Sequence, residues 1–329
     1  MGKPKNDIVP GHADIDDFFY WINERHRIYV ARFRDHQPKP WTEDEIFLDW
    51  KFTNVFRELD RGTLALRDMI HKWLKAGWGK KAKHPVAELI LFNVIWYRLT
   101  NREEHSRDIG FVEDIHELVD RLRAKDRKGE PIFTSAHLTV GIAGEPKLVS
   151  YIRTFHRIWK ERSAILALCK AGTLEAVWEG LMDYECIGRF IAYEIVSDLR
   201  HYGSLWPSEA PTDVLTWANV GPGCKRGLLR LGLPDDGDSL TWLWNLAHDS
   251  GTEPLVVDDM RYEWVTDKPC GLESKTIIHH PAWARFNDVP CMLPRFELRE
   301  IEHSLCEFDK YQRVKTGAGR PRQTYDGRS

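Results

Sequence analysis

The stretch that decides the fold reads Leu181-Met-Asp-Tyr-Glu-Cys-Ile-Gly188-Arg-Phe-Ile-Ala192-Tyr-Glu-Ile-Val-Ser-Asp198-Leu199. A helical pattern runs into Tyr184, and apolar residues recur at helical spacing from Phe190 onward. Gly188 lies between the two patterns, and glycine can take the positive φ angle that a tight reversal needs. The stretch therefore predicts a helix, a hairpin and a second helix. The first backbone N–H groups of the second helix can bind a phosphate.

Two segments downstream carry the residue types of a site that acts on a nucleic acid. Pro211-Thr-Asp213 supplies a carboxylate, and Gly221-Pro-Gly-Cys-Lys225-Arg226-Gly-Leu228 is a second glycine-rich turn with two cations. Each feature alone also has a purely structural explanation. Gly188 fits an ordinary helix–helix turn, Asp213 fits a helix N-cap, and the second glycine segment fits a helix cap followed by a basic turn. Their closeness in sequence favours a function.

Composition limits the classes of protein that this chain can belong to. It has 329 residues, enough for one large domain or two small ones. The formal net charge is −3, from 47 basic and 50 acidic side chains, so a DNA-binding face has to be a local patch. The six cysteines include no Cys-x-x-Cys pair, which argues against zinc and iron–sulfur sites. Without a membrane-length apolar run or a signal-peptide pattern, we expect a cytoplasmic protein with no membrane partner.

The periodicity of apolar residues predicts a mainly α fold. The predicted helices span residues 14–34, 43–75, 85–99, 111–125, 147–168, 173–201 and 297–314, and the β-like runs are 131–134, 255–257 and 276–278. We expect a single mostly helical domain over 1–329. Its parts are an N-terminal helical lobe over about 1–130, a helix-hairpin-helix lobe over 131–231, a loop-rich segment over 232–296 with a short helix near 240–247, and a C-terminal helix with a basic tail over 297–329.

Two regions leave open whether their charges are functional. In a helix over residues 47–66, Asn54, Arg57 and Arg61 fall on one side and can clamp a phosphate and read a base edge. The alternative is a solvated face in which Glu58 and Asp60 pair with the arginines. The opposite, apolar stripe consists of Phe52, Val55, Phe56 and Leu59. The basic tail fits either a frayed terminus or an arm along a phosphate backbone.

The hairpin segment resembles the helix-hairpin-helix of the DNA glycosylase superfamily, whose pattern is Leu-Pro-Gly-Val/Ile-Gly-x-x-Thr/Ser-Ala. Gly188 and Ala192 match this pattern, while Glu185 replaces the proline and Cys186 replaces the first glycine. Asp213 resembles the catalytic aspartate that follows the hairpin in that superfamily. The resemblance implies a DNA-glycosylase-like helical fold with a loop-rich insertion.

The chain is more similar still to the phage alpha-glutamyl/putrescinyl thymine pyrophosphorylases, also described as amino acid:DNA transferases. The similar blocks are Phe52–Arg61, Phe133–Ala136, Ile187–Ile195 with Asp198-Leu199, Gly221–Leu228 and Leu305–Tyr311, so the resemblance runs from about residue 40 to 320. A similar helical domain also occurs fused to hydroxymethyluracil kinases. The 329 residues contain no Gly-x-x-x-x-Gly-Lys-Ser/Thr motif, so we expect no kinase site in them.

The resemblance to the transferases implies a substrate and a reaction. The substrate is DNA containing 5-hydroxymethyluracil that a separate kinase has activated as the 5-pyrophosphate, in the host cytoplasm. A free amino acid or polyamine displaces the pyrophosphate at the exocyclic methylene and gives a hypermodified thymine. No cofactor is required. A divalent cation would help the pyrophosphate leave, but no carboxylate cluster in the sequence indicates one, and no metal ligands are predicted.

The residues fit that reaction in distinct roles. The amine has to lose a proton, for which Asp213 is the first choice of base and Asp198 the second. Asn54 can hold the uracil edge. The pyrophosphate and the DNA backbone call for fixed cations and close backbone approach, which we assign to Arg57, Arg61, Lys225, Arg226, Lys310, Gly188, Gly221 and Gly223.

Two other functions remain open from the sequence. In a DNA glycosylase, Asp213 would stabilise an oxocarbenium ion or activate a nucleophile at C1′. A non-enzymatic DNA-binding module would use the hairpin only for grip. The identity of the amine donor also stays open among glycine, serine, glutamate and a polyamine.

Overall fold

A computed structural model describes residues 13–135, 139–207, 210–249 and 296–319, together with 321, 324 and 325. These residues form helices joined by turns, and they contain no strand beyond one antiparallel bridge between Trp50 and Thr324. The prediction of a mainly α fold is confirmed, and the prediction of a β-like run at 131–134 is wrong. Several predicted features lie outside the described residues. They are the β-like runs at 255–257 and 276–278, Ala136, most of the loop-rich segment, and the arginines of the basic tail at positions 320, 322 and 328.

The described helices follow one another along the chain. They are α1 (Ile15–Tyr29), α2 (Glu45–Asp49), α3 (Arg61–Lys75), α4 (Val86–Thr100), α5 (His105–Asp108), α6 (Ile115–Arg127), α7 (Lys147–Ala171), α8 (Leu174–Leu181), α9 (Arg189–Leu199), α10 (Pro222–Arg230), α11 (Gly237–Asp249) and α12 (Leu298–Lys315). Short 3-10 turns occur at Arg57–Leu59, Trp78–Lys80 and Gly203–Leu205, and a π-helical turn at Val30–Arg34 extends α1.

Two predicted elements are wrong in outline. The single helix predicted over residues 43–75 is interrupted, because Trp50 is extended and α3 begins only after its N-cap, Asp60. The segment from Gly221 to Leu228 is a helix rather than a turn, because Pro222 occupies its first position, where the missing N–H and the fixed φ of proline favour a helix start.

The chain divides into two compact units. In the described part, the first unit comprises residues within 13–57, 218–249 and 296–325, and the second comprises residues within 58–217. The division into four lobes predicted from the sequence stays a prediction.

In the first unit, α12 is the central helix, and α1, α2, α10 and α11 pack against it. The contact with α10 is the closest of these. A Cβ atom on Gly227 would lie 2.5 Å from the carbonyl oxygen of Leu305, so only glycine permits this approach of the two backbones. Ile301, Leu305 and Phe308 of α12 are fully buried.

In the second unit, α4 is the central helix, and α3, α7 and α9 pack against it. Every residue from 88 to 100 is buried, as expected for a helix that is apolar nearly all round. The buried Asn93 is satisfied because its amide donates to the carbonyls of Leu89 and Val112 and its oxygen accepts from Trp96. Helices α8 and α9 follow each other across a short turn at the position of the predicted hairpin, and α7 packs against α8. The glycosylase-like helix-hairpin-helix stays a prediction.

Candidate nucleic-acid interface

The hairpin between α8 and α9 turns at a different residue from the one that the sequence predicts. Gly188 is extended, with φ −94° and ψ 174°, so the prediction of a positive φ at this residue is wrong. Cys186 carries the left-handed conformation instead, with φ 65°. It occupies the place of the first glycine in the glycosylase pattern, and a non-glycine residue there costs roughly 1–2 kcal/mol.

Hydrogen bonds from neighbouring helices hold the hairpin in this conformation. The Thr154 hydroxyl donates to the carbonyl of Glu185 at 3.0 Å, and the Arg157 guanidinium donates to the carbonyl of Asp183 at 2.8 Å. From α8, the Trp178 indole donates to the carbonyl of Arg189 at 2.9 Å. The hairpin is therefore braced on both sides, and α9 starts from a fixed position with first-turn amides that have no intrahelical partner.

An aromatic and cationic surface surrounds the start of α9. The Arg189 guanidinium lies 4.7 Å from the ring centroid of Trp178, and Phe190 is 52% exposed. Trp217 packs against Trp178 and Tyr193, with ring centroids 5.5 and 5.7 Å apart. We call Arg189, Phe190 and Trp217 the hairpin surface. Aromatic rings beside a cation and helix amides are the groups that bind bases and phosphates of an opened strand.

Asp213 is bound to the other end of α8. Its Oδ1 accepts a hydrogen bond from the amide of Leu174 at 2.8 Å, and its Oδ2 accepts one from the amide of Glu175 at 3.0 Å. Asp213 is 8% exposed, and α8 has 8 residues, so its two ends lie about 12 Å apart. Asp213 therefore caps α8 across a long sequence separation, and its role as a base stays a prediction.

Asp198 lies in a buried ion pair on the core side of α9. Both of its carboxylate oxygens accept hydrogen bonds from the Arg98 guanidinium, the Nη2–Oδ1 bond at 2.9 Å. Arg98 also donates to the Thr63 hydroxyl at 2.8 Å. Asp198 is only 3% exposed, so the structure gives it the contacts of a core residue that joins α9 to α4.

Asn54 and Arg57 lie in an irregular segment of the first unit, so the helix face predicted for them and Arg61 does not exist. The Asn54 oxygen accepts a hydrogen bond from the Arg25 guanidinium at 2.7 Å, and Asn54 is 8% exposed. A ring nitrogen of His303 lies 3.1 Å from the Asn54 carbonyl oxygen. Burial, and then the charge of Arg57, lowers the pKa of His303 to about 4. Arg61 belongs to the second unit, where its side chain lies 3.5 Å from Glu103.

The remaining predicted cations of the first unit each face a carboxylate. The ion pairs are Lys225–Asp235 at 2.8 Å, Arg226–Asp309 at 2.9 Å and Lys310–Glu307 at 2.6 Å. The Lys225 and Arg226 side chains are about half exposed, at 47% and 53%. Lys225 can exchange its exposed partner Asp235 for a phosphate oxygen at modest cost, because exposed ion pairs contribute about 1 kcal/mol or less, whereas Asp309, the partner of Arg226, is fully buried.

The predicted phosphate turn at Gly221 and Gly223 is replaced by helix packing. Gly221 is the N-cap of α10 and has an ordinary φ of −78°. A Cβ atom on Gly223 would lie 2.8 Å from the sulfur of Cys306 on α12. The absence of a side chain at Gly223 is thus explained by the contact between α10 and α12.

Sequence reasoning missed the residues that build the hairpin surface. Arg189 and Phe190 directly follow Gly188 in the quoted block, and Trp217 follows Asp213 by four residues. Their closeness to predicted site residues is the sequence signal that could have identified them. No local sequence pattern indicates the contacts of Arg98 and Trp178, because the partner of Arg98 lies far away in the sequence and the partner of Trp178 lies across a turn.

Among the described residues, no group of three or more His, Cys, Asp and Glu side chains is arranged to hold a metal ion. None of the described helices is long and apolar enough to cross a membrane.

Comparison with known proteins gives the chain a family. The family model described as "5-hmdU DNA kinase, helical domain" matches residues 13–320. A 5-hmdU DNA kinase of Bacillus phage SP10 is 29% identical over 245 residues, which cover 68% of this chain and 37% of that protein. The chain thus spans little more than a third of the length of that relative. No solved structure matches this chain. Because the family model covers most of the sequence, the chain belongs to the family of 5-hmdU DNA kinase helical domains.

Proposed function

We propose that this chain acts on DNA containing 5-hydroxymethyluracil and transfers the amine of an amino acid or a polyamine to the pyrophosphate-activated base. The family membership carries this proposal, since the match extends over residues 13–320 while the 329 residues lack a nucleotide-binding Gly-x-x-x-x-Gly-Lys-Ser/Thr motif. A helical domain that is found in a kinase of 5-hmdU DNA is suited to recognising that DNA. The blocks that resemble the amino acid:DNA transferases favour a step that follows activation.

The hairpin surface supports the DNA-binding part of the proposal. The first-turn amides of α9 and the Arg189 guanidinium would bind backbone phosphates, which favour helix N-termini and planar cations. The exposed Phe190 and the partly exposed Trp217 would stack on bases next to the target. An extruded target base gives the enzyme access to the exocyclic methylene in a site that excludes water.

The proposed reaction is a substitution at that methylene carbon. The amine nitrogen forms a bond to the carbon while the bond between the carbon and the pyrophosphate oxygen breaks, and the electron pair leaves with pyrophosphate. Before the attack, the donor's ammonium group transfers one proton to a carboxylate base, which frees the nitrogen lone pair that forms the new bond; the substituted nitrogen in the product is again an ammonium group. Asp213 stays the first choice, because each carboxylate oxygen has a second lone pair beyond the one that accepts a helix amide. Asp198 is the second choice, since Arg98 holds both of its oxygens.

The roles assigned to the other residues belong to the proposal as well. In the first unit, Lys225, Arg226 and Lys310 would bind phosphate oxygens after exchanging their carboxylate partners, and Arg57 would add a further cation. Asn54 would contact the base edge only if Arg25 released its oxygen. In the second unit, Arg61 is 53% exposed and can reach a phosphate directly.

A second candidate function is a DNA-recognition module without chemistry of its own. It is favoured by the 5-hmdU DNA kinase relative, of which this chain matches 37%. In that case the chain would bind hydroxymethyluracil DNA and leave catalysis to another active site. A DNA glycosylase, which would use Asp213 at C1′, is the third function to be tested.

Mass spectrometry of nucleosides distinguishes these functions. Pyrophosphorylated hydroxymethyluracil DNA is incubated with the protein and a pool of amino acids and polyamines, then digested. The transferase predicts a thymidine adduct whose mass identifies one amine. Abasic sites with released base would instead identify a glycosylase, and unchanged DNA that is bound in a gel shift would identify a recognition module.

A further inference from the structure

A cavity of about 440 Å³ lies in the second unit, where the end of α6 and the following loop meet the start of α7. Its apolar lining includes Ile132, Phe133 and Ile152. Cavities of a few hundred Å³ with apolar walls and a few charged groups are typical sites for small molecules. No residue that we assign to DNA binding lines this cavity.

Lys147 and Arg123 are the cations in the wall of this cavity, and Lys147 is the less exposed of the two. Its side chain is half-buried, its ammonium group lies 4.3 Å from the ring centroid of Phe133, and it donates a hydrogen bond to the Thr139 hydroxyl. Within the described residues, Lys147 forms no ion pair with a carboxylate. Burial lowers the pKa of Lys147, which reflects the cost of keeping this charge without a counter-ion. An anionic group bound beside it would offset that cost.

The start of α7 adds to the attraction for an anion. Pro146, Lys147 and Leu148 line the cavity, and α7 is a helix of 25 residues that begins at Lys147. The first-turn amides of a helix have no intrahelical carbonyl partner and lie at the positive end of the helix dipole. A carboxylate next to Lys147 would therefore also be favoured by these amides.

The other charged groups of the lining indicate a zwitterion rather than a polyanion. Asp126 and Glu130 line the same cavity, together with Arg123. Glu130 is bound by Lys125 at 2.7 Å, whereas Asp126 has no side-chain partner among the described residues. Two carboxylates would repel a pyrophosphate, and they would favour an ammonium group. A molecule with one carboxylate and one ammonium group matches both parts of the lining.

The cavity also adjoins the hairpin that we propose to bind DNA. Lys147 begins α7, the helix that also contacts the hairpin. From the same helix, the Thr154 hydroxyl donates to the carbonyl of Glu185. A ligand beside Lys147 would therefore lie next to the hairpin.

We propose that this cavity binds the amino acid that donates the amine, with Lys147 and the first turn of α7 at its α-carboxylate. This assignment rests on the proposed transferase function, and it commits the donor to an amino acid rather than a diamine. The group that holds the carboxylate is a binding residue, so the chemistry at the DNA base does not depend on Lys147 itself.

Isothermal titration of the full chain tests the assignment without requiring turnover. Glycine, serine, glutamate, putrescine and inorganic pyrophosphate are titrated separately into the unmodified protein and into the variants Lys147→Met, Lys147→Arg and Lys160→Met. Lys160 is an exposed lysine on the same helix and serves as the matched control. Circular dichroism and a gel shift with hydroxymethyluracil DNA check that each variant is folded.

We expect one amino acid to bind the unmodified protein more tightly than putrescine or pyrophosphate. Lys147→Met should weaken its binding by roughly 10- to 100-fold, as for the loss of a charge-assisted hydrogen bond, and the other two variants should stay close to the unmodified protein. No amino acid binding, stronger binding of putrescine or pyrophosphate, or an unchanged affinity in Lys147→Met would each overturn the assignment. A transfer reaction that proceeds with an unchanged KM in Lys147→Met would overturn it while leaving the transferase intact.

Discussion

The carboxylate of Asp213 accepts hydrogen bonds from the amides of Leu174 and Glu175, at 2.8 and 3.0 Å. A residue 39 positions further along the chain thus adds to the cap of α8, beside the N-cap residue Thr173. The proposed base is thereby fixed to the helix whose other end leads into the hairpin. Substitution can separate the structural role of Asp213 at the start of α8 from its proposed role as a base.

Asp213→Asn should abolish amine transfer and leave DNA binding intact. The asparagine keeps one oxygen acceptor but loses the negative charge at the helix N-terminus, so the free energy of unfolding should fall by about 1 kcal/mol. Chemical denaturation and nucleoside mass spectrometry measure the two effects. Asp120→Asn, an exposed carboxylate on α6, is the control and should change neither. Full transfer activity in Asp213→Asn would show that another group is the base.

The sequence predicts that Gly188 is the hairpin residue most sensitive to substitution, whereas the structure predicts that Cys186 is more sensitive than Gly188. Gly188→Ala should be nearly neutral, because Gly188 is extended and no heavy atom lies within 4 Å of an added Cβ. Cys186→Val should lower the free energy of unfolding by more than about 1 kcal/mol, because a β-branched residue is strained at φ 65°. Cys186→Gly removes that strain and should be close to neutral, since glycine also gains entropy in the unfolded state. Urea denaturation of the three variants checks the order. A strongly destabilised Gly188→Ala together with a neutral Cys186→Val would contradict the observed turn.

The contact between α10 and α12 should depend on Gly227. An added Cβ atom would lie 2.5 Å from the Leu305 carbonyl oxygen, so Gly227→Ala has to separate the two helices and should cost about 1–3 kcal/mol of stability. The matched control is Gly221→Ala, whose Cβ atom would lie 3.7 Å from the nearest atom, a carboxylate oxygen of Glu302. Thermal or urea unfolding compares them, and equal stabilities of the two variants would argue against this helix packing.

These positions indicate how far the sequence predicts the fold. Strong helical periodicity correctly located α1, α4, α7, α9 and α12 to within a few residues. Helical periodicity gives the wrong result over residues 50–60. Phe52, Val55 and Phe56 have the spacing of a buried helix face, but they are buried although their segment is irregular. The prediction fails again at Gly221–Leu228, where the glycines predict a turn although Gly223 and Gly227 allow the close packing of a helix.

The candidate site was less predictable than the helices. The hairpin was located correctly, but its turn depends on Cys186, a residue type that rarely takes a positive φ. The partners of the two proposed bases come from distant segments, since Arg98 binds Asp198 from 100 positions away. A single sequence has no local pattern for such contacts.

The hairpin surface should contribute to DNA binding and little to stability. Phe190→Ala should weaken binding of single-stranded or hydroxymethyluracil DNA by about 1–3 kcal/mol through the loss of a stacked base. Arg189→Gln should weaken binding and reduce the slope of log K against log salt by about one. Fluorescence anisotropy over a series of salt concentrations measures both. Trp78→Ala removes an aromatic side chain of similar exposure, 53%, outside the hairpin and is the control. If Phe190→Ala and Trp78→Ala lose the same affinity, the hairpin is not the interface.

The central claim is that the chain moves an amine onto activated hydroxymethyluracil in DNA. The most direct measurement uses ¹⁵N-labelled amino acids with pyrophosphorylated hydroxymethyluracil DNA, and follows both the label in digested nucleosides and the pyrophosphate released. The transferase function predicts one labelled nitrogen in a new thymidine nucleoside for each pyrophosphate released, with no abasic sites. Pyrophosphate release without the label, or DNA that binds the protein and stays unchanged, would contradict it.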